Sequence, residues 1–456
     1  MRAEPERFAP RRSRRPRAPG GGRVPKVLEA PCFLFPDRDR LLPMSRALLP
    51  WMPVLLLGTL LSCQPASSPA PGDADDPVRF MTYNIEDVRT ADLRSGDHPR
   101  LVEAAAIIQD LRPDVLLVNE MTVDQPGAPG YPSGEPAAQN ARRFADGYLR
   151  EAQADSLRPL SYQTVMLPVN TGQPSQLDLN NDGRVVTRVP DVPRSPADGR
   201  VAPQTAGGRA YGGDAWGFGT FPGQYGMAVF VREDWTVLRD SIRTFRLFKW
   251  SDMPGAAVPV DSVTGERWYS AEEWETMRLS SKSHWDVPVR LPGGRVVHVL
   301  ASHPTPPGFD GAADRNGRRN HNEIRFWVDY LSGADYIADD SSRAGGLPED
   351  APFVLMGDLN ADPDEGDSYG NAINPLLRHP RVQSRPVPTA TDRGQRAFPD
   401  LDADDTTPFG LRIDYVLPSS NLDVTSAHVW RPAPADTSDL PVSDHFPVYV
   451  DVLPRP

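Results

Sequence analysis

The feature that most constrains this chain is a pattern repeated six times: a short apolar, β-rich run with an acid, amide or imidazole at or beside one end. The runs are VRFMTYNIE (78–86), DVLLVNE (114–120), VVHVLASH (296–303), FVLMGDLN (353–360), RIDYVL (412–417) and SDHFPVYVDV (443–452). The first reads as an alternating, β-rich strand and the second as a buried strand, and the others are also strand-like. At a strand's end backbone pairing stops and side chains project into a cleft, so this is where layered α/β and α+β folds place their chemistry. Polar groups delivered at six successive strand ends have no packing rationale, and a cluster of unpaired carboxylates is costly without a cation.

Further segments complete the outline. GMAVFVR (226–232) is another strand, and helical spacing of apolar residues covers 100–111, 137–149 and 319–331. Residues 170–222 are rich in Pro, Gly and Asp and read as a long ordered loop inserted into the domain, with a shorter loop over 250–270. No internal repeat of fixed period is present.

The first 76 residues are of a different kind. Residues 1–43 are Arg- and Pro-rich without periodicity, and read as disordered or untranslated, with translation then starting at Met44. Arg46 and the apolar run Leu48–Leu61 have the form of an export signal, too short for a comfortable membrane span. Leu60-Leu61-Ser62-Cys63 resembles a bacterial lipobox, with Cys63 as the lipidated residue; an ordinary secretory signal is the alternative. Residues 64–76 form a flexible tether, and one domain occupies 77–453. Cys32 and Cys63, the only cysteines, both precede it, so a disulfide framework or thiolate metal site in the domain is excluded. The net charge of −12 means that a nucleic-acid ligand would need a local basic groove or bridging cations.

Carboxylates and amides are hard oxygen donors suited to Mg²⁺, Mn²⁺ or Ca²⁺. Phosphoryl transfer needs charge neutralised on the phosphoryl oxygens, an activated water and help for the leaving group. The acids at the strand ends could hold the cation. Asp358 could take a proton from water, Asn360 could orient that water, and His303 and His445 could contact phosphate, the latter steadied by a carboxylate such as Asp414.

MTYNIE, LLVNE, SHP, MGDLN, RIDYVL and SDHFPV stand in the order and approximate spacing of the motifs of the endonuclease/exonuclease/phosphatase superfamily, and residues 77–453 resemble it. Each motif alone is weak; the ordered set is specific. The resemblance implies a DNase I-like α+β fold, a four-layer sandwich of two packed mixed β-sheets flanked by helices. It implies Glu120 as main metal ligand, helped by Asn84, Glu86 and Asp444. It implies Asp358 and Asn360 at the attacking water, His303 and His445 on the scissile phosphate, and Asp414 orienting His445. Tyr225 would contact phosphate. The cofactor expected is Mg²⁺ or Mn²⁺, and the substrate a phosphate ester, with DNA or RNA first. A phosphomonoesterase, a lipid phosphodiesterase of sphingomyelinase type, and a catalytically silent binding protein are the alternatives. The inositol 5-phosphatase signatures are absent: the chain has GDLNADP and LRIDYVL in their places. A monomer outside the cytoplasm, membrane-attached only through a lipid anchor, is expected.

Secondary candidates carry two readings each. Asp178, Asn180 and Asp182, followed by Gly183, match the first half of a calcium loop, but position twelve is Val189, so the motif is either a partial Ca²⁺ site or a polar turn. His284 either lines the cleft or is structural. Arg315, Arg318 and Arg319 either bind phosphate or form a solvated helix entrance. His321 reads as a surface or capping residue, and Trp268, Trp274, Trp285 and Trp327 as packing residues.

Overall fold

A computed structural model describes residues 76–196, 201–309, 311–433 and 442–453. The segments read above as disordered or untranslated (1–43), as an export signal with Cys63 (44–63) and as a tether (64–76, all but its last residue) lie outside the described residues. Among those residues, no helix is long and apolar enough to cross a membrane.

The strands in chain order are β1 (Val78–Val88), β2 (Val115–Met121), β3 (Tyr162–Val165), β4 (Met227–Arg232), β5 (Thr236–Val237), β6 (Arg243–Thr244) and β7 (His284–Arg290). They continue with β8 (Val296–Ser302), β9 (Phe353–Asp358), β10 (Thr389–Ala390), β11 (Asp414–Pro418), β12 (Asp423–Val429) and β13 (Val448–Leu453). One mixed sheet has the order β10-β12-β13-β1-β2-β4-β3; the other runs β11-β9-β8-β7-β5, with β6 also on β7.

The apolar runs are continuous because these strands are covered on both faces. In β8, Val297, Val299 and Ala301 enter the core shared with the first sheet, while Leu300 joins a second core. In β9, Val354 and Met356 face the shared core and Phe353 and Leu355 the second; β11 divides the same way, Val416 against Tyr415 and Leu417. The second core is completed by Ile324, Phe326, Trp327 and Tyr330 of the helix Arg315–Leu331. The helix Pro99–Leu111 packs Leu101, Ala104, Ala105 and Ile108 against the first sheet. Each large side chain buried this way contributes about 1.5–3 kcal/mol. The result is the expected sandwich, two mixed sheets between helices.

Register sets the chemistry at one rim. Parallel pairing of β1 with β2 runs from Phe80↔Val115 to Asn84↔Asn119. Antiparallel pairing of β11 with β9 puts Asp414 opposite Asp358. The expected helix at 319–331 starts earlier, at Arg315, and the one at 137–149 is Asn140–Phe144 continued by a π-helical turn, Ala145–Leu149. Over 170–222 the described residues are largely irregular, with one short helix, Ala206–Gly213. This stretch is pinned by Asn170 Nδ2, which donates to the carbonyls of Arg246 (2.7 Å) and Ser280 (2.8 Å). Gly217 lets it touch the chain before β7: a Cβ there would lie 1.8 Å from the Ser281 carbonyl oxygen.

Candidate active site

The ends of β1, β2, β8, β9 and β11, with the turn before β13, converge on one cleft of about 820 Å³, whose lining includes Glu86, Glu120, Tyr225, His303, Asp358, Asn360, Asp444 and His445. Its centre is Asp358. Asn84 Nδ2 donates to Asp358 Oδ2 (3.1 Å), and the Asn360 backbone N–H donates to Oδ1 (2.9 Å). The Nε2 atoms of His303 and His445 lie 3.4 and 3.7 Å from Oδ2. Burial alone would push this carboxyl up. The two imidazoles and the Asn360 amide outweigh it and hold Asp358 below the usual carboxylate range.

The two histidines differ in charge. His445 donates from Nδ1 to Asp414 Oδ2 (2.8 Å), which also accepts from Thr406 Oγ1 (2.8 Å). Burial favours a neutral ring, but Asp414 and Asp358 dominate and raise His445 well above its ordinary value. Asp414 is itself pushed up to about 6, by burial, with His445 opposing. His303 is lowered to about 4 by burial and then by Lys282, and so is neutral at pH 7. Its Nδ1 is buried without a partner.

Beside Asp358 lies an acidic set. Glu120 Oε2 accepts from the Asp87 N–H (2.9 Å) and Oε1 from Asn84 Nδ2 (3.3 Å). Burial and then Asp444 push Glu120 up to about 7, and burial and Asp444 likewise raise Glu86. The repulsion that Asp444 exerts on both glutamates is what a divalent cation relieves, so Glu120, Glu86 and Asp444 fit Mg²⁺ or Mn²⁺. Asp358, Asp414 and His445 also bring ligand atoms within 4.8 Å of one another. That set is better read as a proton-sharing group, because His445 Nδ1 is spent on Asp414 and the ring carries charge.

Backbone strain concentrates here. Glu86, Asp87, Glu120, Tyr225 and Asn360 all have φ between +42° and +66°, a region costly for residues with a Cβ.

A family model described as the Endonuclease/Exonuclease/phosphatase family matches residues 81–445. The chain belongs to this family. Solved structures with the same family description include one from Beutenbergia cavernae, at 19% identity over 83% of this chain and 71% of that one, with a TM-score of 0.43. The human Nocturnin catalytic domain with bound sulfate is similar at 15% identity over 83% and 93%, TM-score 0.39. A Bacteroides thetaiotaomicron mannosyl-6-phosphatase is similar at 12% over 82% and 99%, TM-score 0.38. A search of curated proteins finds no match. Members of the Endonuclease/Exonuclease/phosphatase family are phosphoesterases, and a hydrolytic centre at the rim described above is consistent with that membership.

Several sequence expectations are altered in detail. Asn84 was expected among the metal ligands. Its Oδ1 accepts the Glu86 N–H (3.0 Å), with a second lone pair left for a cation, and its Nδ2 faces Glu120, Asp358 and His445, so it is also a hydrogen-bonding hub. His284 does not line the cleft. Its ring packs on Phe326 and Trp327, Nδ1 meets Ser280 Oγ (2.6 Å), Nε2 meets the Glu323 carbonyl (2.8 Å), and burial lowers it to about 4. Arg319 reaches the cleft wall, but Nε and Nη2 donate to the carbonyls of Leu279, Trp216 and Arg278, which makes it chiefly a clamp. Tyr225 does line the cleft, its hydroxyl accepting from Gln204 Nε2 (2.9 Å). The carboxylates of Asp178 and Asp182 and the Asn180 amide oxygen accept the N–H groups of Asp182, Gly183 and Arg184, a polar-turn pattern.

Residues not singled out from sequence complete the site. Asn119 Oδ1 accepts from Thr82 Oγ1 (3.2 Å) and the Asp358 N–H (3.3 Å), tying the two sheets together beneath the cleft. Ser443 Oγ donates to the Asn84 carbonyl (2.6 Å) and accepts the His445 N–H (3.1 Å). Asn119 stands in the LLVNE motif and Ser443 in SDHFPV, so the motifs held both signals.

Proposed function

We propose that this chain is an exported, divalent-metal-dependent phosphodiesterase that acts on nucleic acid by in-line attack of water. The observation that carries the reading is the environment of Asp358: a carboxylate kept ionised between two imidazoles, next to three acids that need a cation. Glu120, Glu86 and Asp444 would hold Mg²⁺ or Mn²⁺, which when bound neutralises charge on the phosphoryl and leaving oxygens. Asp358 accepts the proton of the attacking water, which Asn360 orients. His445, charged and steadied by Asp414, donates from Nε2 to a phosphoryl oxygen. His303, neutral, holds Asp358 in place from the other side. Export rests on the signal-like sequence at 44–63.

Arg209, Lys282 and Arg315 in the cleft wall support a polyanionic ligand despite the acidic whole. A lipid phosphodiesterase is the second reading, favoured by Phe309 and Phe409, which are 98% and 56% exposed at the cleft mouth. The test is a panel of plasmid DNA, RNA, sphingomyelin vesicles and bis(4-nitrophenyl) phosphate, each with Mg²⁺, Mn²⁺ or EDTA. Cleavage of DNA or RNA that EDTA stops is expected. Activity on vesicles alone would select the second reading, and activity on none would remove both.

A further inference from the structure

Lysine occurs only three times in this chain, at 26, 249 and 282, among 49 cationic residues. Of the two lysines that the structure describes, Lys249 is exposed. Lys282 differs in position. It is 5% exposed, yet it lines the cleft. It sits two residues before β7, and the insertion packs against this stretch: Gly217 meets Ser281, and the Asn170 N–H donates to the Lys282 carbonyl (2.9 Å).

The ammonium group is fixed beside the reacting groups. Lys282 Nζ donates to the Pro304 carbonyl (3.3 Å), the same oxygen that accepts from Asn360 Nδ2 (3.2 Å). Pro304 follows His303. Lys282 is therefore tied to the strand end that carries one cleft imidazole and to the residue beside Asp358. An ammonium has three N–H donors, and Pro304 takes one.

Charge counting points the same way. Lys282 and Arg319 are both buried, and Glu323 is the carboxylate near both. Glu323 also accepts from the Ser281 N–H (2.6 Å), Ser281 Oγ (2.9 Å) and the Thr305 N–H (2.7 Å). One carboxylate thus faces two buried cations. Burial lowers the Lys282 amine below its ordinary value, with Glu323, Glu120 and Asp358 opposing; in the proposed reaction Glu120 is engaged with a cation and Asp358 takes up a proton, so an arriving anion is what holds the charged form. A buried positive charge beyond its neighbours' compensation is expensive unless an anion arrives to meet it.

We propose that the Lys282 ammonium binds a non-bridging oxygen of the phosphoryl group under attack, and is a catalytic residue of this site. The inference rests on the phosphoesterase reading for its substrate, but its test does not need turnover. A compact ammonium suits a single oxygen in a narrow space, where a guanidinium fork would demand more room.

The experiment is calorimetric titration of inorganic phosphate into the Mg²⁺-loaded wild type, Lys282→Met and Lys282→Gln. Gln keeps a donor for the Pro304 carbonyl and serves as the second variant should Met disturb the fold; thermal melts report on both. Phosphate affinity should fall about tenfold or more in each folded variant, while Mn²⁺ affinity is unchanged or tighter because a cation near the acids is gone. With bis(4-nitrophenyl) phosphate, kcat/KM should fall about 10²- to 10³-fold, the usual loss for one oxyanion donor. A folded variant that binds phosphate as wild type does, a wild type that binds none, or a loss of Mn²⁺ affinity matching that of phosphate overturns the proposal. If the phosphate result holds while no ester is hydrolysed by the wild type, the functional reading fails and the anion site stands.

Discussion

Replacing Asp414 by Asn tests the pair that charges His445. The wild-type contact is a buried hydrogen bond of 2.8 Å between Nδ1 and a carboxylate that also accepts from Thr406. A hydrogen bond to a charged group contributes about 1.5–3 kcal/mol, so losing it should slow turnover by about 10- to 150-fold. Stability should move far less. Burial already pushes the Asp414 carboxyl up to about 6, so ionising it costs the fold something at neutral pH, and an amide removes that cost. The sign of the pH effect follows from His445. Its folded value lies above the ordinary one, so the contribution of His445 is complete below about pH 6.5 and is lost as pH rises through the folded value. In Asp414→Asn the imidazole should titrate lower, and the alkaline fall in activity should begin at lower pH. The assays are kcat for a chromogenic diester across pH and an NMR titration of the His445 ring. Turnover within threefold of wild type, or an unmoved ring titration, would refute the assignment of His445 as a charged phosphate contact.

Asp358→Asn should lower kcat by about 10²- to 10⁴-fold, the range for loss of a general base, with an unchanged circular dichroism spectrum; near-wild-type turnover would displace Asp358 from the mechanism. Metal removal should be pH-dependent. Glu120 sits at about 7 against 4.5, so in metal-free protein its contribution is present at acid pH and lost as pH rises between those values. The loss is on the order of 3 kcal/mol at 1.36 kcal/mol per unit, and millimolar Mg²⁺ should restore it. Melts at pH 5 and pH 8 with and without EDTA check this, and an EDTA-insensitive melt at pH 8 counts against the acidic set as a cation site. Gly357→Ala should destabilise by about 1–3 kcal/mol or more, since its Cβ would lie 2.0 Å from the Ser302 carbonyl oxygen at φ +152°; chemical denaturation reads it.

The sheets were legible because strands buried on both faces must be apolar throughout, and runs such as FVLMG have no other stable home. The site was legible because those strands stop on polar residues, as at Asp358 and Glu120. What escaped was whatever depends on contacts distant in sequence. The strand at 284–290 was missed because HWDVPVR mixes charge and proline, yet Asp286 is satisfied inside by Tyr330 (2.6 Å) and His298 (2.6 Å). His284 looked reactive for the same reason, and nothing local announces that Ser280 and the Glu323 carbonyl consume its nitrogens. The hydrogen-bonding part of Asn84 was not legible, since which way an amide turns depends on partners 36 and 274 residues away.

The five left-handed residues around the cleft carry a consequence for how this protein can change. Glycine would relax each of those positions, by roughly 1–2 kcal/mol apiece. A lineage drifting toward greater robustness is therefore offered cheap gains at Glu86, Glu120, Tyr225 and Asn360, and each gain deletes a side chain that faces the cleft. Thermostable variants selected without an activity screen should accumulate their changes at this rim first, and the tightest-folded of them should be the least able to turn over substrate.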